Sequence, residues 1–182
     1  EILWCDWSSD VCSSDLDKLD AASGKLDSLE QDSSLTDEQR KQVEDMKNKL
    51  QSAKDSAQQQ QENEQKKSER RQEFSSEMDE LESDDLKISS AANAEDELAM
   101  TASSFEQWDE LLSEMYDYLA GVLNADQYAS EEENYKQWVA ERDSGAENAA
   151  GATEDSTQKQ LASYSFKQSY TKARCYKLLD MM

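Results

Sequence analysis

Proline and histidine are absent from this chain of 182 residues, and glycine occurs only four times. Without proline the strongest helix breaker is missing, so long helices are favoured over a turn-rich β fold. Four glycines could hardly build a phosphate-cradling loop, and no P-loop or dinucleotide fingerprint is present. The lack of histidine removes the usual general base and the commonest metal ligand. Apolar residues are scarce as well, at 36% against 34% charged, so part of the chain cannot bury a core. Acidic residues outnumber basic ones by 42 to 19, leaving a net charge of -23. A charge of that sign argues against nucleic acid and anionic membrane surfaces and steers basic proteins toward the chain. Solubility of a helical protein is an equally good reason for it.

The stretch from Asp6 to Leu16 reads DWSSDVCSSDL, which is the translation, from its first base, of a common sequencing-library adapter. Residues 1–16 are therefore read as an artefactual fusion segment and set aside. Trp4, Trp7, Cys5 and Cys12 then carry no information on core, binding or redox compartment, and Cys175 is the one cysteine left to interpret. The natural N-terminus is expected to have been lost with this segment, together with any signal sequence or lipid anchor on it.

Residues 17–96 are expected to form a charged helical hairpin, a stalk and a linker. Leu19, Ala22, Leu26 and Leu29 recur in steps of three and four, as in a coiled-coil seam. After a polar break, Thr36 and Gln39 make a capping box, and Val43, Met46, Leu50, Ala53 and Ala57 continue the same step pattern in a second helix. The two segments can fold back as an antiparallel hairpin. Residues 58–73 contain no apolar side chain, so a helix there has nothing to bury. Phe74, Met78 and Leu81 briefly restore a seam before a small, acidic stretch. Residues 58–96 are accordingly read as a solvated stalk running into a linker.

Near residue 97 the composition changes. Leu98, Phe105, Trp108, Leu112, Met115, Leu119 and Val122 form a continuous seam with aromatic anchors. A break is expected at 124–129, with Ser130 and Glu133 capping the helix that carries Tyr135, Trp138 and Arg142. Residues 145–155 read as a small-residue loop. A last helix from about Ser156 to Leu179 places Leu161, Tyr164, Thr171, Cys175 and Leu178 on one side, widened by Phe166 and Tyr170. Between Phe105 and Asp155 fourteen acids face only Lys136 and Arg142, whereas the last helix is basic. Exposed pairs between them are worth only about 0.2–1 kcal/mol each, so the apolar seams must dominate docking.

No residue pattern points to catalysis. Asp109 with Glu110 is a tempting carboxylate pair, but a general acid needs an apolar pocket to raise its pKa. The run Glu131, Glu132, Glu133 reads instead as a solvated helix start favoured by the macrodipole. Asn124 with Asp126, and Asp84 with Asp85, lack the loop spacing of a calcium site. No catalytic residue, cofactor or metal is expected.

Three spaced motifs remain: Asp109, Leu112, Tyr116 and Leu119 (D-x-x-L-S-x-x-Y-x-x-L), Gln137, Trp138, Arg142 and Asp143 (Q-W-x-x-x-R-D), and Thr171, Arg174 and Leu178 (T-x-x-R-x-x-x-L). In this order and spacing the segment of about 98–180 resembles the lysozyme-inhibitor LprI-like N-terminal domain family. The resemblance implies a small, mostly helical, extracytoplasmic bacterial domain, often carried on a lipoprotein, and a family named after a member that inhibits lysozyme. Ser113 stands where many members have Asn. Ala146 replaces a family cysteine three residues after the Arg-Asp pair, and Phe166 lies near the place of another. Both substitutes are apolar and preserve packing without a disulfide, while Cys175 matches neither place and reads as a small buried residue.

The expected architecture is all-α: a compact antiparallel bundle of three to four helices over 97–182, preceded by the hairpin and coiled-coil stalk. Asp109, Leu112, Tyr116, Trp138, Arg142, Asp143, Thr171 and Arg174 should converge. Trp138 and Arg142, four apart, bring guanidinium to indole, and the arginines are expected to pair with Asp109 and Asp143 at the edge of the Trp138 core. The functional expectation is a non-catalytic cell-envelope binding protein whose acidic domain engages lysozyme or another basic protein. A structural coiled-coil envelope protein without inhibitory activity is the competing reading. Contact with a membrane is expected only through a lipid anchor on the lost N-terminus.

Overall fold

The computed structural model describes residues 13–182, with side chains from residue 16. The adapter-like residues up to Cys12, with Trp4, Trp7 and Cys5, lie outside the described residues. Five helices follow in order: α1 (Ser13–Glu30), α2 (Asp37–Ile88), α3 (Ala94–Val122), α4 (Ala125–Ala150) and α5 (Ser156–Leu179). No strand occurs among the described residues. The chain divides into two compact units, Glu1–Ser68 and Glu69–Met182, and α2 contributes to both.

In the first unit α1 and the start of α2 form an antiparallel hairpin. Thr36 closes the turn: its N–H donates to Gln39 Oε1 at 2.9 Å, and the Gln39 N–H donates to Thr36 Oγ1 at 3.3 Å. Lys54 reaches Asp20 at 2.6 Å, and Lys47 reaches Asp27 at 2.6 Å and Glu30 at 2.5 Å. These pairs put Lys47 and Lys54 on the side of α2 that meets α1, where their stems lie partly covered. The expected α2 seam is therefore only half used, because Met46 is 46% exposed and Ala53 is also exposed. Val43 is the buried apolar residue of this unit among the described residues. Beyond it, residues 58–66 are exposed all round and remain helical through propensity and short-range pairs such as Gln58 with Glu62 and Lys67 with Glu64.

The second unit is built from the end of α2 and from α3, α4 and α5. Each of the last three opens on a side-chain cap: Asn93 for α3, Asn124 with Gln127 for α4, and Asp155 for α5. Contacts advance together along α3 and α5, from Ser104 with Gln168 to Tyr116 with Arg174, so these two helices run in the same direction. Along α4 they run in reverse, with Asp109 meeting Arg142 and Tyr116 meeting Glu131. The end of α2 opposes α3 and α5, with Asp85 near Ser104, Phe74 near Tyr118, and Glu82 near Tyr176. Four helices of alternating direction thus enclose one core of Phe74, Met78, Trp108, Leu112, Met115, Leu119, Cys175 and Leu178, all at most 1% exposed. This is an all-α bundle, with α5 packed on both α3 and α4.

Several boundaries differ from the sequence expectation. The solvated stalk stops at residue 68, because the short stripe of Phe74, Met78 and Leu81 at i, i+4 and i+7 suffices to bury the end of α2. The linker shrinks to residues 89–93, since the acidic stretch stays helical as far as Ile88. Helix α4 starts at Ala125, not Ser130: Asn124 is the better N-cap and also forms a reciprocal box with Gln127. The expected loop at 145–155 is helix as far as Ala150, and Gly145 within it lies against a side chain of α5. A Cβ built on Gly145 falls against the Phe166 ring, so the aromatic packs onto bare backbone. Val122 lies outside the core at 39% exposure.

Phe74 is 0% exposed, touches Tyr118 edge-on with centroids 5.9 Å apart, and is capped by the Arg70 guanidinium at 3.9 Å. Phe74→Ala is expected to destabilise the second unit by about 3–5 kcal/mol in urea unfolding. A loss under about 1 kcal/mol would return this part of α2 to the stalk.

Candidate functional site

The three motifs meet where α3, α4 and α5 face one another. Arg174, from the inner face of α5, is 5% exposed and donates to Tyr116 Oη through Nε at 2.9 Å and Nη2 at 2.7 Å. Its Nη2 also donates to Glu131 Oε1, and the Tyr116 hydroxyl donates to the same oxygen at 3.0 Å. Glu131 is 5% exposed, and its other oxygen accepts from Asn134 at 3.3 Å. One buried ion pair with a bridging phenol thus joins α3, α4 and α5. Burial raises the Tyr116 pKa, against the opposing pull of Arg174.

A second, shallower pair lies further along α4. Arg142 donates from Nη1 to Asp109 at 2.7 Å and from Nε to Asp143 at 3.1 Å. Its guanidinium carbon sits 5.1 Å from the Trp138 ring and 5.4 Å from the Phe105 ring. Trp138 in turn stacks between Tyr135 and Tyr170, with centroids at 5.8 and 5.7 Å, and Tyr170 continues onto Phe166 at 5.5 Å. The aromatic row explains why Trp138 is 8% exposed although it belongs to the least apolar of the three helices.

The expected site residues are thus accounted for one by one. Leu112 is core, Arg142 joins Asp109 and Asp143 beside Trp138, and Tyr116 joins Arg174. Arg174 takes Glu131 as its carboxylate, not Asp109 or Asp143, which corrects the expected pairing. The reason is register: Glu131 lies seven residues before Trp138 and four before Tyr135, so it shares their inward face. That spacing was the available signal, masked by the neighbouring Glu132 and Glu133, whose side chains do stay exposed. Thr171 is 0% exposed and its hydroxyl has no hydrogen-bond partner. Cys175 is buried and free, and its thiol points at the Trp108 carbonyl oxygen at 3.8 Å. Burial, reinforced by the Asp109 charge, pushes that thiol up to about 12, so it is no nucleophile near neutral pH.

A second polar cluster ties the end of α2 to α3 and α5. Asp85 accepts from Ser104, from Trp108 Nε1 at 3.2 Å and from Gln168 at 2.8 Å, and Lys172 stands 3.5 Å away. The sequence had offered Asp85 only as part of an acidic stretch without the loop spacing of a calcium site. Its three donors make it an anchor of the bundle.

The arrangement resists a catalytic interpretation. Every carboxylate in the three clusters is paired with an arginine or a lysine or held by a ring of donors. The groove lined by Gln137, Trp138, Glu141, Tyr170 and Arg174 is wide open, at about 390 Å³. Among the described residues no group of three or more Cys, Asp or Glu is arranged to hold a metal ion. The network joins α3, α4 and α5 through paired charges. Its sharpest consequence concerns Thr171, whose buried hydroxyl lacks a partner: Thr171→Val keeps the shape and removes an unsatisfied donor, so stability in urea should be unchanged or higher. A loss of more than about 1 kcal/mol would mean that the hydroxyl serves an interaction.

No curated protein and no solved structure among those compared matches this chain. The model of one family, lysozyme inhibitor LprI, matches residues 88–178. The match covers α3, α4 and all but the last residue of α5, and contains both arginine clusters. Half of the chain, including the three motifs and the α3 and α5 part of the core, is accounted for in this way, and the chain belongs to the lysozyme inhibitor LprI family.

Proposed function

We propose that the second unit is a non-catalytic binding module that engages a basic protein, lysozyme first among them, through its outer carboxylates. The observation that carries this reading is the way charge is sorted. Arg142 and Arg174 are turned inward onto Asp109, Asp143 and Glu131, and Lys172 lies against Glu82 and Asp85. Glu106, Glu110, Asp117, Asp126 and Glu147 are left exposed on α3 and α4, outside these pairs. The outer surface is therefore more acidic than the composition of the unit implies, and it suits a cationic partner.

Family membership supplies the candidate partner, since the family description names lysozyme. An extracytoplasmic site of action, on a lipoprotein or a secreted chain, follows from that partner. Among the described residues no helix is long and apolar enough to cross a membrane. A polar inner network fits a module whose interior holds shape while its surface binds.

The test is lysozyme hydrolysis of cell walls in the presence of the full chain at near-physiological salt. Inhibition is expected to weaken as salt rises, because charges further apart than about 8 Å are screened at that ionic strength. The triple variant Glu106→Gln, Glu110→Gln, Asp117→Asn should lower affinity at least several-fold without changing helicity. Equal inhibition by an unrelated helical bundle of the same charge would reduce the effect to nonspecific attraction and favour the structural reading.

A further inference from the structure

The first unit presents a problem that its own residues do not solve. A unit of this size normally needs a disulfide, a metal or oligomerisation, because so short a chain buries too little apolar surface to offset its ordering entropy. Between residues 17 and 68 there is no cysteine or histidine. Val43, at 6% exposure, is its one buried apolar side chain among the described residues. The apolar stripe is nevertheless longer than the surface that the hairpin covers. Leu29 and Met46 are each 46% exposed, and they are the sequence neighbours of Glu30 and Lys47, which are joined at 2.5 Å. Ala53, two turns further along α2, is exposed too. One edge of the hairpin seam is used, with Lys47 and Lys54 at its margin, and the other is open.

We propose that this open edge is a self-association surface, and that a second copy of this chain covers it, two hairpins forming a four-helix assembly. The choice of occupant rests on charge. Residues 17–57 carry ten acidic and seven basic side chains, almost balanced, whereas Glu69–Met182 carries twenty-six against ten. Two copies brought together through the second unit would repel strongly; through the hairpin they would not. Both signs occur on both helices, with Lys25 among Asp20, Asp27 and Glu30 on α1 and with Glu44 between Lys41 and Lys49 on α2, and some of these charges already pair within the hairpin. A twofold contact can therefore set acid against base at the rim of a Leu29 and Met46 centre. A strongly cationic partner, which suits the second unit, has no comparable reason to choose this face. Pairing of hairpins would give each assembly two binding modules and hence the avidity of a linked pair.

The experiment is the solution mass of the full chain by sedimentation, from low micromolar to several hundred micromolar, at physiological salt. The expected result is a concentration-dependent rise to twice the chain mass. The double variant Leu29→Lys, Met46→Lys places charge at positions already exposed in the hairpin, so circular dichroism should retain its helicity while the heavier species is lost. Gln60→Lys with Gln61→Lys, on the all-polar stretch, adds the same charge and should leave association intact. A wild-type chain that keeps the single-chain mass over the whole range overturns the proposal. So does a dimer that the Leu29 and Met46 substitutions leave unchanged.

Discussion

The constraint on which the second unit depends is the burial of one positive charge. Arg174 lies on the inner face of α5 at 5% exposure, and a guanidinium taken out of water needs a carboxylate and further acceptors in fixed places. Glu131 from α4 supplies the charge and Tyr116 from α3 supplies the oxygen between them. Three helices are thereby held in one register, because sliding any of them by a turn leaves a buried ion without its partner. The apolar core of Trp108, Leu112, Met115 and Leu178 provides most of the driving force, but oily contacts tolerate slippage. In this bundle the polar triad specifies what the core stabilises.

The same economy of positive charge shapes the surface. The cations that α4 and α5 carry near the core face inward or lie along the α2 and α3 carboxylates, so the outer faces of α3 and α4 are left to glutamate and aspartate. Interior and exterior are then two consequences of one sorting. In the proposed function such a module needs no pocket: rigidity comes from inside, and attraction for a basic protein would come from outside.

The heptad-like steps in α3 and α5 made the helices and their core legible, since apolar residues recurring every three or four positions leave few alternatives. Trp138 with Arg142 was legible as well, because a four-residue spacing fixes the neighbours on a helix, whereas Asp109 comes from α3 and joins them only where α3 faces α4. Glu131 was hidden by Glu132 and Glu133: a run of like side chains gives no contrast, and only the phase relative to Trp138 separates the buried one. Phe74 and Met78 were obscured in a similar way, as a stripe of three apolar residues at the end of a long polar helix. Helix ends were the least legible. Asn124 and Ser130 are both good caps, and the reciprocal box of Asn124 with Gln127 decided between them. Gly145 sits mid-helix because Phe166 needs its bare backbone, a requirement of a residue twenty-one positions away.

The most direct measurement is a double-mutant cycle on the triad, using Arg174→Met, Glu131→Gln and the combined variant, each unfolded in urea. Removing one member strands the other, so each single change is predicted to lower stability by about 3–5 kcal/mol. The combined variant should lose little more than either single one, giving a coupling energy of a few kcal/mol. Single losses below about 1 kcal/mol that simply add would contradict the account, and the register of α3, α4 and α5 would then have to be set by the apolar core alone.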